Sequence, residues 1–121
     1  MLDSGLLVSW GEVYPGRAEQ VFRLFSEVVA YHDKLLEEGR ISGFEPGVLA
    51  THGGGLGGLR GFMIVRGTPE QIITLRHDDE FLADVRRAQM LMKDVGVDQL
   101  FLGEALRSMM APVGPQVRAL A

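Results

Sequence analysis

The chain holds three histidines, His32, His52 and His77, and no cysteine. Without cysteine there is no thiolate nucleophile, no Cys-based zinc or iron–sulfur site and no disulfide. The histidines show none of the H-x-H or H-E-x-x-H spacings of metal ligands, so neither a metal nor a cofactor is expected. His32 stands four residues after Val28 and three before Leu35. That spacing puts its imidazole on the apolar stripe of a helix. Two roles fit such a ring. It can be a core histidine hydrogen-bonded to backbone or to an acid, or a general base or ligand contact, because imidazole titrates near neutral pH.

A second candidate is the run THGGGLGGLRGF, residues 51–62, with six glycines in twelve positions. Gly53, Gly55 and Gly58 satisfy G-x-G-x-x-G. In a dinucleotide site that fingerprint follows a strand and opens a helix, whose N-terminal amides meet the phosphates. Here Gly-Phe-Met-Ile-Val follows, which reads as another strand. The glycines are therefore expected to form a hairpin connection rather than a phosphate cradle, with His52 and Arg60 on its flanks.

Composition narrows the remaining classes. At 121 residues the default is one domain, read as residues 1–104 with a tail, 105–121, that includes a short helix. A net charge of −4 and a pI near 5.3 argue against nucleic acid as a partner. The apolar runs fall short of a membrane span, and Asp3 stands where a signal peptide carries positive charge. A cytoplasmic protein is the simplest expectation.

The elements that must position these side chains follow from periodicity. Residues 5–14 read as a strand ending at Pro15-Gly16. Residues 17–38 read as a helix, with Val21, Leu24, Phe25, Val28, Val29, Leu35 and Leu36 as its stripe and Gly39 as its stop. Turn-rich residues 42–47 lead into a short strand at 48–51. After the glycine run, residues 61–66 are the clearest strand. Thr68, Pro69 and Gln71 predict a capping box opening a short helix that ends near Arg76. Asp78 or Asp79 can cap a longer helix over 80–95, closed by Gly96, before a last strand at 97–102.

The order is βαββαβ, an α+β, ferredoxin-like arrangement with a four-stranded antiparallel sheet and helices on one face. A sheet covered on one face alternates apolar and polar residues. Leu6-Leu7-Val8 and Phe62-Met63-Ile64-Val65 do not alternate. Both faces therefore need cover, and a second copy of the sheet, as a C2 homodimer, is the economical solution.

This order, the split helix TPEQIITLRHDDEFLADVRRAQMLMKDVGV and the two-sided strands resemble the dimeric α+β barrel superfamily, over about residues 5–104. That superfamily includes cofactor-free monooxygenases of the antibiotic-biosynthesis type, stress-responsive barrel proteins and haem-handling relatives. The haem-degrading members depend on an Asn, a Trp and a His, whereas this chain has no Asn and only Trp10. Residues 32–43, HDKLLEEGRISG, with DDEF at 78–81, are also similar to the small YciI-type proteins. That resemblance implies a His32–Asp79 pair in an active site, with Glu80 where the family carries Pro.

The expectation is a dimer that binds a small apolar or aromatic molecule between sheet and helices, with Trp10, Tyr14, His52 and Arg60 as contacts. The alternative is a cofactor-independent enzyme with His32 as base and Asp79 as its orienter.

Overall fold

A computed structural model describes residues 4–50 and 57–112. Four strands form one antiparallel sheet in the order β2-β3-β1-β4: β1 (Ser4–Trp10), β2 (Gly43–Val48), β3 (Gly61–Gly67) and β4 (Gly96–Phe101). Helices α1 (Ala18–Glu37), α2 (Pro69–Arg76) and α3 (Asp79–Leu91) cover one face, and α4 (Gly103–Met110) follows β4. This is the expected α+β, ferredoxin-like arrangement. None of the described helices is long and apolar enough to cross a membrane.

The core lies between the helices and the sheet face bearing Leu6, Val8 and Trp10 of β1 and Met63 and Val65 of β3. Val21, Leu24 and Leu35 reach it from α1, Ile72 and Leu75 from α2, and Phe81 and Ala88 from α3. The opposite face carries Leu7, Phe62, Ile64 and Leu100, each half-buried, beside Ser9, Glu45, Arg66 and Asp98. Leu7 pairs with Ile64 at its centre.

Several boundaries depart from the sequence reading, each for a tertiary reason. β1 stops at Trp10 rather than running to residue 14, because its partners run out: Trp10 faces Gly61, the first residue of β3, and Ser9 faces Gly96, the first of β4. Beyond it, the Gly11 amide donates to the Lys93 carbonyl at 2.6 Å. β2 occupies the turn-rich residues 43–48 rather than 48–51. Its register with β3, from Gly43–Arg66 to Val48–Gly61, requires a hairpin that starts where β3 starts. Pro46 is tolerated because β2 is an edge strand. α3 ends at Leu91 rather than 95. Asp94 adopts a left-handed φ of 54° and the Lys93 amide turns to the Glu12 carbonyl, so Gly96 opens β4 instead of closing the helix.

Two local motifs form as their sequences predict. The Thr68 hydroxyl accepts from the Gln71 amide, and the Gln71 side chain accepts from the Thr68 amide, which completes the capping box. Gly39, at φ 70°, follows the end of α1.

Candidate functional site

The apolar stripe of α1 faces α3 across the sheet, and the three surfaces do not close completely on one another. A cavity of about 50 Å³ remains between them. Val8, Trp10 and Met63 form its floor. Leu24, Phe25, Val28 and His32 wall it from α1, and Phe81, Val85 and Ala88 from α3. Phe44 and Pro46 of the edge strand complete the rim. Among the described residues of its lining, the ionisable groups are His32 and Asp84.

His32 is 2% exposed. Its Nδ1 lies 2.8 Å from the carbonyl oxygen of Val28, one turn earlier on α1. Phe44 stacks on the ring at 4.6 Å and 16°, while Tyr31 and Phe81 meet it edge-on. Nε2 has no hydrogen-bond partner among the described residues. Burial disfavours the charged ring and lowers its pKa below the ordinary 6.5, against the opposing pull of the Val28 carbonyl. The ring is thus neutral at neutral pH, held in position by its own helix and by stacking.

Trp10 is 7% exposed and packs edge-on against Phe25 at 4.9 Å. Its indole N–H donates to the Leu59 carbonyl at 2.9 Å. Gly61 makes this possible, since a Cβ there would lie 2.9 Å from the indole Cζ2. The Val13 amide donates to the Gly58 carbonyl at 3.2 Å. The described end of the glycine run is therefore fastened at two points, to Trp10 of β1 and to Val13 just beyond that strand. The 3₁₀ turn Gly57–Leu59 passes into β3 with no helix behind it, so residues 57–61 offer no helix N-terminus to an anion.

The other sequence candidates are placed apart. Tyr14 is 39% exposed and does not line the cavity. Arg60 is exposed between the 3₁₀ turn and β3. His52 and Gly53 and Gly55 of the fingerprint lie outside the described residues. Asp79 is exposed at the start of α3, and no hydrogen bond joins it to the buried His32 ring. The neighbouring Asp78, which caps α3, is the carboxylate that accepts from the Tyr31 hydroxyl of α1. His77 is exposed at the end of α2, with Nδ1 2.9 Å from the Ile73 carbonyl. Among the described residues no three His, Asp or Glu side chains converge as metal ligands would.

Asp84 was not among the sequence candidates, although its position betrays it. It stands three residues after Phe81 and four before Ala88, on the buried side of α3. Burial raises its pKa, opposed by the Arg87 guanidinium 3.6 Å away.

The sequence matches no family model and no curated protein. The fold is similar to the crystal structure of PA3566 from Pseudomonas aeruginosa, with a TM-score of 0.55 and 18% identity over 84% of this chain and 94% of that one. At that identity the likeness establishes the fold.

Proposed function

We propose that the protein binds a small apolar or aromatic molecule in the cavity between sheet and helices. The observation that carries this reading is an apolar recess in the core whose wall includes one fully buried polar ring with an unused nitrogen. Small-molecule sites combine such apolar walls with few polar groups. The recess is a third of the roughly 150 Å³ that takes up benzene. Met63 and Met92, both in its lining, supply the give that a larger occupant requires, since thioether side chains repack at low cost.

Thermal denaturation with toluene, phenol and indole tests it. An occupant that binds only the folded state raises the melting temperature with its concentration. Val28→Ile adds a methylene into the recess and is expected to reduce that rise. Unchanged melting with every compound would count against a binding site here.

A second reading draws on the same nitrogen. A neutral His32 can take a proton from a bound molecule, as a general base in a cofactor-independent enzyme of the monooxygenase or YciI kind. In that reading the Val28 carbonyl, rather than Asp79, orients the ring.

We also propose a homodimer through the open sheet face. Its support is the apolar centre formed by Leu7, Phe62, Ile64 and Leu100, which a second copy of the same face would cover.

A further inference from the structure

The polarity of the His32 ring is fixed by a bond that it makes elsewhere. A carbonyl oxygen only accepts, so the contact between Nδ1 and Val28 places the proton on Nδ1. In a neutral imidazole the other nitrogen is then a bare lone pair. The stacked Phe44 and the edge-on Tyr31 and Phe81 hold the ring plane. The ring lines the cavity, and Nε2, on the edge away from Val28, is buried and without a protein donor among the described residues, so an occupant reaches it as the methionine-bearing wall gives way.

Resting on the binding reading above, we infer that the cavity's occupant is a neutral hydrogen-bond donor: a small apolar or aromatic molecule with one hydroxyl or N–H group directed at His32 Nε2. An ether or ketone would set lone pair against lone pair. A hydrocarbon would leave a buried acceptor unsatisfied, which costs on the order of 1–3 kcal/mol. An anion finds no Lys or Arg among the described residues of the lining and meets Asp84 instead. A site built around an unsatisfied polar atom rejects analogues that lack the matching group.

Phenol, anisole and toluene share a ring and differ in the donor, so they serve as probes of the full chain. The first measurement is long-range ¹⁵N NMR of the His32 imidazole. The free protein is expected to show the Nδ1–H tautomer, and phenol is expected to move the Nε2 resonance. The second is affinity. Phenol is expected to bind about five- to tenfold more tightly than anisole or toluene, the value of one net hydrogen bond. In His32→Leu that preference is expected to vanish, and because the NMR arm needs no variant, a failure of His32→Leu to fold leaves the test intact. An Nε2–H tautomer overturns the inference. So does an Nε2 resonance that phenol leaves unmoved, the mark of a nitrogen satisfied by water alone. Equal affinity for phenol and toluene overturns the donor requirement while the binding reading survives. Binding of none of the three overturns both.

Discussion

The hydroxyl of Tyr31, in the middle of α1, donates to the carboxylate of Asp78, the residue that caps α3. The same carboxylate accepts from the Phe81 amide at 2.9 Å and lies 3.4 Å from the Arg40 guanidinium. Burial works against the charge on Asp78, but the two hydrogen bonds and Arg40 outweigh it and hold its pKa below the ordinary 3.8. One side chain therefore caps a helix, satisfies a mostly buried phenol and ties α3 to α1 beside the His32 ring.

Removing either partner should be costly, and the two losses should overlap. Asp78→Ala removes the cap, worth typically about 1 kcal/mol, and leaves the Tyr31 hydroxyl without its acceptor. A total loss of about 2 kcal/mol is expected, against about 1 kcal/mol for Tyr31→Phe. The double variant should lose less than the sum, with a coupling of roughly 0.5 kcal/mol or more. Urea denaturation of the four proteins measures this. Strict additivity would mean that the hydroxyl and the carboxylate do not share one interaction.

The buried His32 ring makes a prediction about acid. Its folded pKa is lowered, so the unfolded chain binds the proton more readily than the native state. That difference stabilises the native state above the unfolded value of 6.5, and the stabilisation is lost as pH falls below it. Asp78 acts with the same sign but further down, below 3.8. Urea midpoints should therefore fall between pH 7.5 and pH 5, and His32→Leu should flatten that fall. An equal slope in the variant would place the responsible group elsewhere. Tyr31 adds an alkaline limb. Burial, and then its bond to Asp78, raise its pKa above 10.0, so its contribution is present below pH 10 and lost as pH rises beyond it.

What the sequence made legible is local. Thr68, Pro69 and Gln71 lie within one turn, and the two hydrogen bonds of the capping box join only Thr68 and Gln71, so the start of α2 could be read directly. The burial of His32 followed from its spacing to Val28 and Leu35. The placement of β2 could not be read this way. Gly43, Pro46 and Gly47 carry turn chemistry, and only pairing with β3 makes them a strand. Likewise, 47 positions separate Tyr31 from Asp78, so a cap at Asp78 or Asp79 could be read from the sequence but not its bond to Tyr31. The idle Nε2 of His32 is less visible still. It depends on which nitrogen the Val28 carbonyl engages and on Phe44 arriving from an edge strand that the sequence placed elsewhere.

The capping box offers a cleaner measurement because it stands apart from the cavity. Thr68→Ala removes the acceptor for the Gln71 amide at 3.2 Å. A loss of about 1 kcal/mol is expected, within the usual range of roughly 0.5–2 kcal/mol. Thr68→Ser keeps the oxygen and should cost less. Gln71 also donates from its side chain to the Gly39 carbonyl at 2.9 Å, so Gln71→Ala should cost more than removal of a cap partner alone. Thermal or urea unfolding ranks the three. If Thr68→Ser proved as damaging as Thr68→Ala, the methyl group's packing rather than the hydroxyl would be the source.

The open face of the sheet tests the proposed homodimer through Ile64. Ile64 lies opposite Leu7 on the central pair of strands, and its side chain points away from the helices. Ile64→Lys leaves the core between helices and sheet untouched, so the variant is expected to unfold within about 1 kcal/mol of the parent when both are compared as monomers. In a dimer built on this face the same charge would meet its own copy near the symmetry axis, with Leu7 and Phe62 around it. Placing two like charges in a desolvated apolar centre should cost at least about 2 kcal/mol, a dissociation constant raised some thirtyfold or more. Sedimentation equilibrium of both proteins over micromolar concentrations reads the difference. A parent that sediments as a monomer throughout that range, or a variant that associates as strongly as the parent, would remove the open face from the account of assembly.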